Sequence, residues 1–286
     1  MMFSGIWVPL VTPFSANGAV DHAALCGLVE RCARAGVSGL VALGTTGEPA
    51  ALDEAEQDAV LATILTAADG TLPVIVGVAG NHAPSLLARV RRLGERPIAG
   101  VLVPAPYYVR PSQAGIAEHF LRLADASTTP VVVYDIPYRT GVAIELDTLL
   151  RLAGHPNIRA VKDCSGAVDK TLALIRDGRL QVLAGNDIEM FATCCAGGSG
   201  TIAASAHLRP GDFVAMYGEL AAGRLSSARE RFHALVPLIA ALGAEPNPAP
   251  VKAALAQLGL IRDEVRAPMT PASAALRERL TSLALQ

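Results

Sequence analysis

The sequence is poor in aromatic residues and has no excess of charge of either sign. Its 286 residues carry 24 basic and 26 acidic side chains, and only 4% of the residues are aromatic. A near-neutral chain lacks the basic surface that nucleic acids require. So few aromatic rings cannot form platforms on which bases stack. We therefore expect small-molecule substrates and no nucleic-acid partner.

Long apolar runs are also missing, although 51% of the residues are hydrophobic. The run over residues 232–244 is shorter than the roughly 18 residues that a membrane helix needs, and it contains His233. Residues 1–14 have no basic segment ahead of their apolar part, which argues against a signal peptide. We expect a cytoplasmic protein that does not contact a membrane.

The cysteines and histidines do not follow the spacing of metal ligands. Five cysteines form no C-x-x-C pair, and six histidines form no H-E-x-x-H motif. Unpaired thiols are typical of a reducing compartment. We expect no metal site and inert, buried cysteines.

Lysine is the scarcest charged residue. Of the 24 basic side chains only three are lysines, which leaves 21 arginines. Arginine cannot replace lysine where an amine must lose its proton and attack carbon. Any lysine nucleophile is therefore Lys162, Lys170 or Lys252. The last two lie in helical patterns, and we expect both to be surface charges.

Eight short runs rich in Val, Ile and Leu predict strands that are buried on both faces. Helical patterns follow them at a spacing of roughly 25–35 residues, which is typical of repeated βαβ units. Eight such units predict a closed (β/α)8 barrel. An open, doubly wound sheet would carry a glycine-rich turn after the first strand, and residues 8–13 contain none. The predicted strands are 5–13, 39–43, 73–78, 100–104, 130–135, 158–162, 180–184 and 200–204.

Three polar residues are placed to cap helices. Asp21 precedes a helix that Gly36 ends, and Ser112 precedes another. Asp53 precedes a helix whose predicted apolar face consists of Ala59, Val60, Ile64 and Leu65. Residues 1–225 form the predicted barrel. Residues 226–286 form a helical extension packed on the same domain, and we expect it to have a role in assembly.

The reactive side chains follow the carboxyl ends of the predicted strands, where barrel active sites are built. Lys162 closes an apolar run, and burial there would lower its pKa because the ammonium form loses hydration. A neutral amine can attack a ketone to form a Schiff base. The alternative is a surface lysine or one paired with Asp163. The segments at these strand ends are Gly44-Thr45-Thr46-Gly47-Glu48, Tyr107-Tyr108, Tyr134 with Arg139 beyond it, Lys162-Asp163, Gly185-Asn186-Asp187, and Ser205 with His207.

Four other candidate residues also allow an interpretation in which they have only a structural role. The Tyr134 phenol could relay protons, or it could be a core tyrosine at the rim. The guanidinium of Arg139 could bind a carboxylate, or it could be solvated on a loop. The hydroxyls of Thr45 and Thr46 could bind a carboxylate, or the segment could be a flexible turn.

Five motifs stand in the order and at the spacing of one family. The chain resembles the dihydrodipicolinate synthase and N-acetylneuraminate lyase family of pyruvate-dependent class I aldolases over nearly its whole length. The resemblance implies a (β/α)8 barrel and a homotetramer built as a dimer of dimers. It also implies that no metal or organic cofactor is needed. The motifs are GTTGE at 44–48, YY at 107–108, YDIPYRTG at 134–141, VKD at 161–163 and PNPAPVK at 246–252.

The resemblance also implies roles for single residues. It makes Lys162 the Schiff-base lysine for pyruvate and Tyr134 the proton relay. The relay is linked to Thr45 and to Tyr108, which reaches the site of a neighbouring subunit. The remaining residues bind substrate. Thr46 holds the pyruvate carboxylate, Arg139 holds the carboxylate of the aldehyde, and Gly185 and the main chain of Ile202 line the pocket.

The implied reaction joins pyruvate to L-aspartate-4-semialdehyde and yields 4-hydroxy-tetrahydrodipicolinate, in lysine and diaminopimelate biosynthesis. Asp163-Cys164-Ser165 stands where Glu-Ala is common in the synthases and resembles sister aldolases that cleave sugar acids or hydroxy-oxo acids. Such a lyase is the first alternative. A barrel that binds an oxo acid without turnover is the second.

The resemblance also bears on feedback inhibition. In lysine-sensitive synthases an acidic residue contacts the ammonium group of the inhibitor, and the matching residue here is Ser85. Glu54 and Gln57 replace histidines of some sensitive members, while Asn81 and Tyr107 are retained. We expect weak or absent inhibition by L-lysine.

Overall fold

The computed structural model describes residues 2–284, in which eight parallel strands form a closed barrel. Each strand pairs with the next one along the chain, as the sequence predicts for a (β/α)8 barrel. The strands are β1 (Gly5–Pro9), β2 (Gly39–Ala42), β3 (Val74–Gly77), β4 (Gly100–Pro104), β5 (Val131–Asp135), β6 (Ile158–Asp163), β7 (Gln181–Ala184) and β8 (Gly200–Ile202).

All eight predicted strands are present, and most are shorter than their apolar runs. The largest difference is in β1, which ends at Pro9 rather than at residue 13. Val131, Val132 and Val133 are fully buried, as expected for a strand with the barrel interior on one side and helices on the other. β8 requires glycine at Gly200, because a Cβ there would lie 2.1 Å from the Gly5 carbonyl oxygen.

Twelve α-helices lie within the described residues. They are α1 (His22–Ala35), α2 (Glu54–Ala68), α3 (Ala83–Leu93), α4 (Gln113–Ala126), α5 (Pro137–Thr140), α6 (Leu146–Leu152), α7 (Val168–Asp177), α8 (Met190–Cys195), α9 (Pro210–Ala221), α10 (Leu225–Leu242), α11 (Ala249–Gln257) and α12 (Ala274–Ala284). None of the helices in residues 2–284 is long and apolar enough to span a bilayer.

The predicted helix caps are confirmed. The side chains of Asp21 and Ser112 accept hydrogen bonds from the first turns of α1 and α4, and Gly36 ends α1 in the left-handed conformation at φ 74°. Asp53 caps α2 through a reciprocal pair of hydrogen bonds with Glu56.

The predicted apolar face of α2 is wrong at two of its four positions. Ala59 is exposed and Leu65 is half-buried, whereas Val60 and Ile64 are buried as predicted. Leu61 and Ala68 complete the buried stripe. They lie three and four residues from Ile64, so they share its face of the helix.

Contacts within the chain divide it into two compact units. The first unit consists of Val74–Ile202 together with the start of the chain up to Gly5. It contains β3 to β8 and the helices between them. The second unit consists of Ile6–Pro73 together with the chain from Ala203 onward, and it includes α9 to α12. The domain boundary at residue 225 stays a prediction.

Candidate active site

Lys162 and Tyr134 are register partners on the neighbouring strands β6 and β5 of the first unit. Paired residues of adjacent parallel strands point to the same face of the sheet, so the amine and the phenol are brought together. The Lys162 Nζ lies 4.5 Å from the centroid of the Tyr134 ring. Each residue is only 7% exposed. The register therefore places a buried amine against an aromatic ring that carries a hydroxyl.

Burial lowers the pKa of Lys162, because the ammonium form loses its hydration in the apolar surroundings. The charge of Arg139 lowers it further, while Cys164 and Asp187 act in the opposite direction. The alternative pairing with Asp163 does not form. The Asp163 carboxylate accepts hydrogen bonds from the Ser165 amide at 2.9 Å and the Thr171 hydroxyl at 2.5 Å. The surroundings of Lys162 favour a neutral amine.

Burial raises the pKa of Tyr134 well above its usual value, so its hydroxyl is protonated at neutral pH. The hydroxyl makes a hydrogen-bond contact with the thiol of Cys164. Burial also raises the pKa of that thiol to about 12, which keeps it neutral. Tyr134 can therefore donate a proton and then recover it.

Gly185, at the end of β7, lies against the side chains of Lys162 and Cys164. A Cβ at this position would be 2.3 Å from the Cys164 Sγ and 2.9 Å from the Lys162 Cε. Atoms at such separations overlap, so only glycine leaves room for the two side chains. Gly185 thus gives Lys162 the space for its observed conformation.

Arg139 lies on α5, the single helical turn that follows β5. Its guanidinium carbon is 5.5 Å from the centroid of the Tyr138 ring. Both residues are exposed, and the charge of Arg139 acts on Lys162 and on Tyr134. A guanidinium with free donors beside a buried amine can bind the carboxylate of an incoming substrate.

Thr45 and Thr46 lie in the second unit, in a short 3-10 turn (Thr45–Gly47) that follows β2. Thr46 is buried, and its hydroxyl oxygen accepts a hydrogen bond from the Asn247 Nδ2 at 2.9 Å. Asn247 belongs to the PNPAPVK motif, but sequence reasoning assigned it no role. Only its place in that motif could have drawn attention to it. It orients a hydroxyl that was predicted to bind a carboxylate.

Tyr108 is 90% exposed and adopts a left-handed backbone conformation at φ 71°. Its amide donates to the Thr140 carbonyl oxygen at 3.1 Å, so its turn rests on the loop that carries Arg139. Left-handed backbone is uncommon for a residue other than glycine and frequently marks functional turns. The exposed ring is free to contact another subunit.

Two other candidates at the end of the barrel strands are buried. Ile202, the last residue of β8, is fully buried, so only its main chain could line a pocket. The His207 ring contacts the Val11 amide at 3.2 Å and the Ala204 carbonyl oxygen at 2.9 Å. Burial lowers the pKa of His207 to about 4, so it is a neutral core histidine.

The prediction that Lys170 and Lys252 are surface charges is wrong. Lys252 is fully buried in the second unit and pairs with the carboxylate of Glu48. The Lys170 side chain is 11% exposed, and its Nζ lies 2.5 Å from the Asp135 Oδ2 in the first unit. Helical spacing alone did not reveal the acids that face these lysines from other segments.

Across residues 2–284, no group of three His, Cys, Asp or Glu side chains is arranged to hold a metal ion. The groups that act on Lys162 are an aromatic ring, a thiol, a guanidinium and the carboxylate of Asp187.

Comparison with known proteins agrees with this architecture. The model of the dihydrodipicolinate synthetase family matches residues 2–286. The chain belongs to this family. A 4-hydroxy-tetrahydrodipicolinate synthase of Sorangium cellulosum is 42% identical over 97% of this chain and 93% of its own length. A synthase of Clostridium acetobutylicum is 37% identical over 98% of this chain and 99% of its own length.

Solved structures of family members superpose closely. The dihydrodipicolinate synthase of Thermotoga maritima has a TM-score of 0.96 at 35% identity and covers 99% of this chain and 98% of its own. An Acinetobacter baumannii synthase complexed with pyruvate has a TM-score of 0.95 at 33% identity, covering 99% and 97%. One synthase that matches with a TM-score of 0.96 at 35% identity, over 99% of this chain and 96% of its own, is described as a monomeric variant.

The family's barrel brings four of the candidate residues together in the first unit, near the ends of β5, β6 and β7, and adds Cys164 to them: the four are Lys162, Tyr134, Arg139 and Gly185. Sequence reasoning gave Cys164 no function, and its signals were its place two residues after Lys162 and its departure from the alanine common in the synthases. Thr45 and Thr46 follow β2 in the second unit, where Asn247 contacts Thr46.

Proposed function

We propose that the chain condenses pyruvate with L-aspartate-4-semialdehyde through a Schiff base on Lys162, giving 4-hydroxy-tetrahydrodipicolinate. The observation that carries this proposal is the buried amine of Lys162 beside the ring of Tyr134. Support also comes from relatives named 4-hydroxy-tetrahydrodipicolinate synthase, which match over nearly the full chain.

The reaction begins with attack of the neutral Lys162 amine on the pyruvate ketone. Loss of water forms the imine, and loss of a methyl proton forms an enamine. The protonated Tyr134 phenol can give a proton to the departing hydroxyl and take one back in the following step. The imine itself accepts the electron pair, so the scheme needs no metal or organic cofactor.

The enamine carbon then attacks the aldehyde carbon of the second substrate. The amino group of that substrate displaces Lys162 in a ring closure, which releases the product and the free lysine. We assign Thr46, oriented by Asn247, to the pyruvate carboxylate. Thr45 and Tyr108 extend the proton relay from Tyr134. Arg139 binds the carboxylate of the aldehyde, and Gly185 and the main chain of Ile202 line the pocket.

A homotetramer arranged as a dimer of dimers is part of this proposal because the resemblance to the family implies it. Tyr108 projects into solvent and would act on the site of a partner subunit, so a dimer would be the minimal active unit. Sedimentation at low micromolar concentration tests the assembly. A mixture of inactive Tyr108 and Lys162 variants should regain activity if the tyrosine acts across subunits. A fully active monomer would contradict this arrangement.

The deciding experiment is borohydride reduction in the presence of pyruvate, followed by peptide mass spectrometry. We expect the adduct on Lys162 and on neither of the other lysines. In a separate assay without borohydride, addition of L-aspartate-4-semialdehyde should consume pyruvate and form the cyclic product. An adduct on Lys170 or Lys252, or none, would refute the assignment of the site.

One observation supports a second candidate, an aldolase that cleaves a hydroxy-oxo acid to pyruvate and an aldehyde. Cys164 contacts the Tyr134 hydroxyl at a position where the synthases commonly have alanine. Asp163 does not bear on this choice, because its carboxylate is held by Ser165 and Thr171. A panel of oxo acids coupled to pyruvate formation separates the two candidates.

We propose weak or absent inhibition by L-lysine. The Ser85 hydroxyl, which stands where sensitive enzymes have an acid, lies 2.7 Å from the His82 Nδ1. The Asn81 amide donates to the Tyr107 carbonyl oxygen at 2.9 Å. Neither side chain supplies a negative charge for the ammonium group of lysine. A submillimolar inhibition constant in steady-state assays would contradict this prediction.

A further inference from the structure

The loop that carries Arg139 runs from Asp135 to Ile144, and the buried ion pair between Asp135 and Lys170 contacts both of its ends. Asp135 is the last residue of β5, and the loop that follows it returns to the barrel at Ile144. The Lys170 Nζ, from α7, donates to the Asp135 Oδ2 at 2.5 Å. The Asp135 side chain is fully buried, and that of Lys170 is 11% exposed. Such a pair in a poorly hydrated interior holds a fixed geometry.

Both members of the pair also bind the main chain of Ile144. The second oxygen of Asp135 accepts from the Ile144 amide at 3.2 Å, and the Lys170 Nζ donates to the Ile144 carbonyl oxygen at 3.0 Å. On either side of Ile144, Gln113 donates to the Ala143 carbonyl oxygen at 2.9 Å and accepts from the Glu145 amide at 3.0 Å. The return point of the loop is therefore held by four hydrogen bonds from side chains.

Strand alternation explains why the acid lies here. Tyr134 points to the same face as Lys162, so the next residue, Asp135, points to the opposite face. α7 lies against that face and supplies Lys170 to Asp135 and Thr171 to Asp163. Tyr134 thus faces the pocket, and the next residue of β5, Asp135, lies at the base of the adjoining loop.

Within the loop the polypeptide is braced by its own hydrogen bonds. The Thr140 hydroxyl lies 3.1 Å from the Ile136 carbonyl oxygen and 2.8 Å from that of Val142. The Arg139 side chain is exposed, and it contacts the neighbouring Tyr138 ring. The position of Arg139 therefore depends on the short segment that the Thr140 hydrogen bonds hold together. A displacement at the base of the loop would move the guanidinium as part of one rigid turn.

We propose that Asp135 and Lys170 are positioning residues that set Arg139 for the carboxylate of the aldehyde substrate. This inference rests on the proposed function. The pair touches no substrate. It fixes the two ends of the loop, and the loop fixes the guanidinium. The alternative is that the pair contributes only to the stability of the barrel, and the two possibilities differ in which kinetic constant changes.

The test compares Lys170→Met with Lys170→Arg in the full-length protein. We expect Lys170→Met to raise the KM for L-aspartate-4-semialdehyde by roughly tenfold or more, because small misplacements of a binding group have large kinetic effects. The KM for pyruvate and the yield of the borohydride adduct on Lys162 should stay within about twofold of the wild type. Lys170→Arg keeps the charge and the donors, so it should recover most of the lost affinity for the aldehyde.

Two further variants make the test independent of folding defects. Asp135→Asn combined with Lys170→Met removes both charges, so no unpaired charge remains buried if Lys170→Met alone is unstable. It keeps an acceptor for the Ile144 amide but leaves the Ile144 carbonyl oxygen without its donor. We therefore expect the same selective rise in the KM for the aldehyde. Arg122→Met is the matched control, because its ion pair with Glu118 is exposed on α4.

A double-mutant cycle with Arg139→Ala decides between positioning and stability. If the pair acts through Arg139, Lys170→Met should add no further rise in the KM for the aldehyde in the Arg139→Ala background. Additive effects, or equal changes in both KM values in folded variants, would overturn the proposal while leaving the proposed function intact. A wild type that traps pyruvate but does not consume the aldehyde would instead refute the proposed function, and this inference with it.

Discussion

Lys162 and Lys252 are both buried, one in each unit, but their partners are opposite in kind. The Lys252 Nζ pairs with the Glu48 carboxylate, donates to the Glu264 carbonyl oxygen at 2.8 Å and lies 4.0 Å from the centroid of the Phe14 ring. Lys162 also faces an aromatic ring, that of Tyr134. Over the part of the chain that the structure describes, however, no carboxylate lies within ion-pair distance of its amine.

The comparison shows that burial alone does not make a lysine a nucleophile. Burial lowers the pKa of both amines, but at Lys252 the charge and hydrogen bond of Glu48 oppose that effect. At Lys162 the charges of Cys164 and Asp187 also oppose it and that of Arg139 adds to it, but within residues 2–284 the amine has no carboxylate as a hydrogen-bonded partner. An ammonium group paired with a carboxylate has no lone pair with which to attack carbon, so the lack of a direct ion pair at Lys162 is the feature that permits chemistry. Lys170, with Asp135, resembles Lys252 in this respect.

The largest effect should come from Lys162→Met, which removes the amine and keeps the length of an apolar chain. We expect turnover to fall by roughly 10³-fold or more, as for the loss of other covalent nucleophiles. The free energy of unfolding should be unchanged or higher, because a poorly hydrated amine without a paired acid has been removed. Coupled turnover assays and urea denaturation measure the two quantities. Substantial residual activity would show that another group carries the reaction.

Replacement of Lys252 by methionine should lower the free energy of unfolding without removing a group that takes part in the reaction. Lys252→Met leaves the Glu48 charge buried and unpaired, which costs about 3–5 kcal/mol of unfolding free energy. Adding Glu48→Gln removes that charge, so most of the loss should be recovered. Urea denaturation of the single and double variants gives the coupling. If the two changes were simply additive, the pair would not be the source of the effect.

Much of this difference could not be read from the sequence. The eight apolar runs predicted the strands, and the place of Lys162 at the end of one run singled it out. Those signals are local. Asp135 lies 35 residues before Lys170, and Glu48 and Lys252 come from distant segments, so no local periodicity reveals that they meet. A helical pattern reports which face of a helix is apolar, and it does not report which charge lies opposite.

Asn247 and Cys164 illustrate the same limit in the site itself. Each contacts a hydroxyl of the site, Asn247 that of Thr46 and Cys164 that of Tyr134. The motif at 246–252 indicated that the segment matters, but the partner became visible only when the chain was folded. The apolar face of α2 was misplaced for a related reason, since Leu61 rather than Leu65 is the fully buried leucine.

A smaller loss of stability and activity is expected from a substitution at Gly185, where the lack of a side chain leaves room for Lys162 and Cys164. In Gly185→Ala the new Cβ overlaps the Cys164 Sγ and the Lys162 Cε, and overpacking of this kind costs about 1–3 kcal/mol. Cys164→Ala in addition should restore stability, because it removes the closer overlap. Activity should recover less, since the contact with Lys162 remains. Thermal denaturation measures the stability of the single and double variants, and turnover assays measure their activity. Full recovery of activity would place the strain at Cys164 alone.

The finest test converts the surroundings of Lys162 into those of Lys252. Only the neutral amine attacks pyruvate, so the rate of adduct formation rises with pH and reaches half its maximum at the pKa of Lys162. Because burial lowers that pKa, the midpoint in the wild type should lie below the ordinary lysine value of 10.5.

Cys164→Asp places a carboxylate beside the amine, favours the ammonium form and should raise the midpoint by about one unit or more. Cys164→Asn, of the same size without charge, is the control. Stopped-flow trapping across the pH range measures all three proteins, and equal midpoints for the Asp and Asn variants would mean that a neighbouring acid does not govern the reactivity of this lysine.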